Sequence, residues 1–204
     1  MTPAVYLVDD DPDVLESLSW MLEGLGIAPI CFASAQAFLD QVNLSHPGVA
    51  VLDIDMPGMD GMALLEHINA AHSPISVIML TGQGTIALAV KCIQIGALDF
   101  LEKPVDGDKL QSLLTLGQQL SDRDWQALQQ QADIRARLDS LTKRENEVLQ
   151  GILAGKMNKV IAAELGIAQR TIELHRQNVM TKMMAGSVAE LAAMMNMLVS
   201  GPVN

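Results

Sequence analysis

The chain has 204 residues, half of them apolar, and a formal net charge of -11. That length allows one or two domains with a sizeable core. No apolar run approaches about 18 residues, and no basic segment leads into an apolar one, so neither a membrane span nor a signal peptide is predicted and a cytoplasmic protein is expected. The acidity argues against nucleic acid for the chain as a whole, but it is unevenly spread. Residues 1–121 hold three lysines against fifteen acids, whereas residues 122–204 hold ten bases against nine acids, so two differently built domains are expected.

Aromatics are scarce and there are 13 methionines, which predicts a core of aliphatic residues and Met. Cys31 and Cys92 lie in apolar runs without metal-type spacing and read as buried free thiols.

Ala4 to Val8 is a β-prone run that ends in Asp9, Asp10 and Asp11. Asp11 before Pro12 provides an N-cap and a first helical residue, and the spacing of Val14, Leu15, Leu18, Met21, Leu22 and Leu25 carries a helix to Gly26. The strand-helix unit then repeats. A strand is expected over 28–32, a helix from Ser34 to about Val42, a strand over 49–52 and a helix over 62–71. The next strand, over 75–80, is stopped by Thr81, Gly82, Gln83 and Gly84. A helix from about Thr85 ends before Gly96. The last strand spans 98–101, and Lys103 and Pro104 precede a helix from about Asp106. Five strands alternating with five helices predict a doubly wound, five-stranded parallel α/β sheet of the flavodoxin type over residues 1–121.

Residues 122–139 are rich in Gln and charge and read as a helical linker. From 140 to 204 the pattern is all-α. Thr142 and Glu145 form a capping box that opens a helix to about Ala154. A short helix, Asn158 to Leu165, a turn at Gly166, and a longer helix from about Gln169 to Met184 outline a helix-turn-helix. A final helix runs from about Val188 to Leu198, before a frayed Gly201-Pro202 tail. Val160, Ile161, Leu165, Ile167, Ile172, Leu174 and Val179 are expected on the core face. Arg170, Thr171, Glu173, His175 and Arg176 are left to face a groove, with Lys156, Asn158, Lys159 and Lys182 completing a DNA-contacting set.

In a parallel sheet the strand ends bring Asp9, Asp10, Asp53, Thr81 and Lys103 to one edge. Three neighbouring carboxylates raise one another's pKa, and a hard divalent cation such as Mg2+ relieves that conflict while keeping several waters. With the metal bound, a carboxylate can attack a phosphoryl group and form an acyl phosphate. The Thr81 hydroxyl and the Lys103 ammonium then meet the charge on the transferring oxygens.

The segments Val8-Asp9-Asp10-Asp11, Asp53-Ile54-Asp55-Met56-Pro57-Gly58-Met59-Asp60-Gly61, Thr81-Gly82 and Phe100-Leu101-Glu102-Lys103-Pro104 resemble the CheY-like receiver domain of two-component response regulators. The resemblance implies that Asp53 is the phosphoacceptor. It makes Asp10, Asp53 and the carbonyl of Asp55 direct Mg2+ ligands, with Asp9 acting through water. Thr81 and Lys103 hold the phosphate, Thr81 and Phe100 are the switch pair, and the Lys103-Pro104 peptide is cis. Gly82, where Ala is also frequent, leaves the site more open, and Asp55 is expected to affect how water reaches the acyl phosphate.

The runs beginning at Leu141, Gly155 and Arg170 resemble the LuxR-type helix-turn-helix, and together the halves resemble response regulators of the FixJ and NarL type. That implies a transcriptional regulator, not a turnover enzyme, phosphorylated by a sensor histidine kinase and acting on promoter DNA and RNA polymerase. It also implies dimerisation on phosphorylation through the fourth helix and fifth strand, a face on which Ile86, Val90, Ile93 and Ile95 are apolar. Two alternatives are weighed. Asp53-Ile54-Asp55 resembles the DxD of haloacid-dehalogenase-type phosphatases, but here an acid pair precedes the nucleophile and Met-Pro follows it. The other alternative is a receiver that serves as an adaptor, with a protein-binding bundle at its end.

Overall fold

The computed structural model describes residues 3–82 and 84–199; Gln83 and the Gly201-Pro202 tail lie outside them. The chain divides into two compact units, the first ending at Gln126 and the second beginning at Ala127.

The first unit alternates strands and helices: β1 (Ala4–Val8), α1 (Pro12–Gly24), β2 (Ile30–Phe32), α2 (Ala35–Gln41), β3 (Gly48–Asp53), α3 (Gly61–Ala70), β4 (Ser76–Thr81), α4 (Ile86–Ile95), β5 (Asp99–Glu102) and α5 (Gly107–Asp139). The five strands are all parallel and ordered β2-β1-β3-β4-β5, the doubly wound arrangement expected, with β3 at its centre. Helix starts are fixed by side-chain caps, with Asp11, Ser34, Asp60 and Thr85 each accepting a hydrogen bond from a first-turn amide.

Every residue of β3 is buried, which is why its sequence is a continuous apolar run. Alternate strand residues feed two cores. Val8, Ala50, Leu52 and Met79 pack with Phe38, Leu64, Leu65, Ile68 and Cys92 of α2, α3 and α4. On the other face Leu7, Val49, Val51, Ile78 and Leu80 pack with Leu18 and Leu22 of α1 and Leu110 and Leu114 of α5.

Several expectations are corrected. β2 is two residues shorter than 28–32, and because it is the edge strand, Cys31 is exposed while Cys92 is buried. On α4, Ile86, Val90 and Ile93 are exposed, but Ile95 packs against the core, since it lies about 180° around the helix from Ile86. The segment read as a helical linker is helical and runs on from α5 without a break, within one 33-residue helix.

The second unit contains the end of α5, then α6 (Lys143–Leu153), α7 (Asn158–Leu165), α8 (Gln169–Met183) and α9 (Val188–Val199). Ile134 of α5, Val148, Leu149 and Ile152 of α6, Ile161 of α7, Ile172, Val179 and Met183 of α8 and Leu191 of α9 form its core. Gly166 ends α7 in a left-handed conformation, φ 66°, which lets the chain turn sharply into α8. The capping box is present: Glu145 accepts from the Thr142 amide at 2.9 Å, and the Thr142 hydroxyl accepts from the Glu145 amide at 3.3 Å. Leu174, placed on the core face by its chemistry alone, is 57% exposed.

Candidate phosphoacceptor site and nucleic-acid interface

Strand register assembles the first site. Val8 of β1 lies beside Leu52 of β3, so Asp9 follows onto the edge next to Asp53. Asp53 is paired with Leu80, which puts Thr81 at the same edge, and Thr81 is paired with Glu102, so Lys103 comes next. Hydrophobic alternation thus delivers four functional groups to one line without any local motif between them.

Asp9 is 2% exposed, Asp53 4% and Thr81 fully buried. The Lys103 ammonium lies between the two carboxylates, 2.6 Å from Asp9 Oδ2 and 2.6 Å from Asp53 Oδ1. The Asp11 amide donates to Asp9 Oδ1 at 2.9 Å. Burial pushes the Asp9 carboxyl above its ordinary range; the hydrogen bonds from Lys103 and the Asp11 amide oppose this, and the charge of Asp53 adds to it. Desolvation, more than mutual repulsion, therefore dominates at Asp9, because Lys103 already stands between the acids. For Lys103, burial is the largest influence and acts downward. The hydrogen bonds and charges of Asp53 and Asp9 together outweigh it and hold the ammonium above its usual value.

Asp10 is exposed and completes a group in which one oxygen from each of Asp9, Asp10 and Asp53 lies within 4.8 Å of the others. Three hard oxygen donors with one open, solvated side suit Mg2+, which binds through few carboxylates and retains water. Asp55 is exposed, two residues past Asp53.

The loop after Asp53 is held from behind. The Ile54 amide donates to the Leu80 carbonyl at 2.9 Å, and the Gly61 amide donates to the Ile54 carbonyl at 3.0 Å. A Cβ on Gly61 would overlap the Asp53 carbonyl oxygen, so only glycine allows α3 to start this close to β3. Gly61, which the sequence offers only as the last residue of the Asp53–Gly61 motif, thus has a packing role. The Phe100 ring is half-buried on β5, and its Cε1 would lie 3.2 Å from a Cβ on Gly84, which places the ring against the loop that leaves Thr81. The Lys103-Pro104 peptide is cis.

In the second unit, Lys156, Met157, Asn158, Lys159, Gln169 and Arg176 line one open recess of about 560 Å³. The helices α7 and α8 follow Met157 and Ala168, neither of which provides a side-chain cap, leaving their first amides to solvent or to a phosphate. Lys156 is paired with Glu164 at 2.7 Å. Arg170, Thr171 and Glu173 are exposed, and Gln169 donates to Glu173 at 3.2 Å.

His175 and Arg176 are half-buried, and the His175 Nδ1 is enclosed without a hydrogen-bond partner. Lys182 donates to the buried Glu145 at 2.7 Å and to the Ser140 carbonyl at 3.1 Å, so its charge ties α8 to the start of α6. The Lys182 ammonium, with the Thr142 amide and hydroxyl, holds the Glu145 carboxyl down to about 2.

Comparison with known proteins assigns a family to each of the two units. Residues 5–115 match the response regulator receiver domain, and residues 139–195 match the bacterial regulatory proteins of the luxR family. The chain is 41% identical over 187 residues to the transcriptional regulatory protein FixJ of Bradyrhizobium diazoefficiens, covering 92% of this chain and 91% of that protein. It is 37% identical to the tetrathionate response regulatory protein TtrR of Salmonella typhimurium, covering 92% and 89%. Among solved structures, the response regulator StyR superposes with a TM-score of 0.84 at 37% identity, covering 96% of this chain and 99% of that one. Full-length FixJ from B. japonicum superposes with a TM-score of 0.56 at 38% identity, covering 99% and 98%. With its buried acid-lysine cluster at the edge of a doubly wound sheet and its uncapped pair of helices beyond, the chain belongs to the two-component response regulators that join a receiver domain to a LuxR-type DNA-binding domain.

Proposed function

We propose that Asp53 accepts a phosphoryl group from a sensor histidine kinase and that the resulting charge change governs promoter binding by the second unit. The observation that carries this reading is the Lys103 ammonium held at 2.6 Å from both Asp9 and Asp53. It fixes the nucleophilic carboxylate and leaves a cation where phosphoryl charge develops. Asp10 and Asp53, with the Asp55 carbonyl, would hold Mg2+ directly and Asp9 would hold it through water. When bound, the ion neutralises phosphoryl oxygens during transfer.

Asp53 Oδ attacks phosphorus, the kinase histidine leaves, and the acyl phosphate remains on the protein as a stoichiometric modification. Lys103 and Thr81 then bind its oxygens. Phosphorylation adds roughly 1.5 to 2 negative charges in this buried setting. Movement of Thr81 toward that charge would release the adjoining loop, against which Phe100 packs, and alter the face of α4 and β5. Ile86, Val90 and Ile93 form an exposed apolar stripe on that face, suited to pairing two copies of the chain and so two DNA-binding units on a two-fold site.

The DNA-contacting set is Lys156, Asn158, Lys159, Arg170, Thr171, Glu173, His175 and Arg176, with Lys182 at the far end of α8. We take 1–121 as the receiver, 122–139 as a helical linker and 140–204 as the DNA-binding domain of a cytoplasmic regulator that works through RNA polymerase. The test is incubation with Mg2+ and a small-molecule phosphodonor, followed by intact-mass measurement and gel-shift assay. One phosphoryl group per chain, lost in Asp53→Asn, together with tighter promoter binding supports the reading. Catalytic release of phosphate from monoesters would favour a phosphatase instead.

A further inference from the structure

On α8 the side chains of Ile172, Val179 and Met183 are buried and mark the direction of the core. At 100° per residue, the stripe opposite them passes through Arg170, Leu174, Gln177 and Thr181, spaced i, i+4, i+7 and i+11. All four are exposed. Three are polar, and Leu174, at the centre, is apolar yet 57% exposed.

A single exposed leucine needs no explanation in general, but this one has a particular position. It lies on the outward crest of the second helix of a helix-turn-helix, the element that enters the major groove. Arg170 one turn before it and Gln177 one turn after it carry the groups that hydrogen-bond to base edges. The recess containing Lys156, Lys159 and Arg176 gives the same unit cations for the sugar-phosphate backbone. One leucine between polar neighbours is too small a patch for a protein partner, whose interfaces bury on the order of 800 Å² per side. The major groove, by contrast, displays one isolated apolar group of matching size, the C5-methyl of thymine.

We propose that Leu174 reads sequence by seating a thymine methyl group, which makes it a specificity-determining residue of the DNA-binding unit. The inference rests on DNA binding by the LuxR-type domain and names the base feature that α8 reads.

The test uses the full-length phosphorylated protein. Selection from random DNA gives its preferred site, and each thymine in that site is then replaced by deoxyuridine, which deletes the methyl alone. One thymine per half-site should be sensitive, its replacement weakening wild-type binding about fourfold, the worth of one buried methyl. Leu174→Ala should bind more weakly and be indifferent to that replacement. Its own selection should lose the preference for thymine at that position and keep the others. Since Leu174 is exposed, the variant keeps its fold, which circular dichroism checks.

The proposal is overturned if wild type is insensitive to every replacement, or if Leu174→Ala retains the same sensitivity at the same base. Failure to enrich any sequence would overturn DNA binding itself and this inference with it, an outcome distinct from loss of methyl sensitivity alone.

Discussion

At the edge of the sheet, Asp9, Asp53 and Thr81 are almost wholly withdrawn from water and are positioned by three neighbouring strands, whereas Arg170, Thr171 and Glu173 stand in solvent on one helix. A site that is to host a reaction calls for few, closely held charges, and Asp9 and Asp53 are buried with the Lys103 ammonium 2.6 Å from each. The DNA-binding unit meets a solvated polyanion, so most of its charges remain hydrated until contact. Polar residues of the same kind therefore serve different purposes in the two units. A substitution in the first should act on chemistry, on folding or on both, and one on the exposed face of the second on DNA binding without loss of the fold.

The largest effect should follow Asp53→Asn, which removes the nucleophile: intact mass should show no phosphoryl adduct, while the fold persists. Next is Gly61→Ala. Its Cβ would overlap the Asp53 carbonyl oxygen, and we expect a loss of about 2–4 kcal/mol, within the upper range for single substitutions, measured by denaturant unfolding, with slower phosphorylation.

Lys182→Met tests whether a cation on α8 is structural as well as DNA-facing. Removing the partner of buried Glu145 should cost about 1–3 kcal/mol, read as faster amide exchange in α6 and α8. Glu145 is held at about 2, below its ordinary value of 4.5. Its contribution is therefore complete above about pH 4.5, is lost as pH falls toward 2, and the gap between variant and wild type should close over that window.

The smallest effect is expected from Asp55→Ala, which leaves the buried acids intact. We expect about a threefold change in acyl-phosphate lifetime, equivalent to less than 1 kcal/mol in barrier, measured by decay of the phosphorylated species. An unchanged lifetime would remove any role for Asp55 in water access.

The difference between the units also explains what the sequence disclosed. The receiver site was legible because an apolar strand announces its own end, and a parallel sheet brings successive ends together; Asp9, Asp53, Thr81 and Lys103 follow from that rule. Helix α8 was less legible because apolar and polar residues occur around much of its circumference. Ile172 and Leu174 are separated by about 200° on a helix and cannot both face one core. That arithmetic is the signal that would have placed Leu174 outside. The pairing of Lys182 with Glu145 spans 37 residues and depends on packing that no local pattern encodes. Cys31 was misplaced for a related reason, since a short apolar run does not reveal that its strand is at the edge.

On the proposed function, modification of Asp53 controls DNA binding by the other unit of the chain. The most direct measurement is the affinity of full-length protein for its selected DNA site, with Mg2+ present, before and after addition of a small-molecule phosphodonor, for wild type and Asp53→Asn in parallel. Wild type should gain affinity markedly and the variant should not. Equal gains in both proteins, or no gain in a wild type shown by mass to be phosphorylated, would contradict the proposed function.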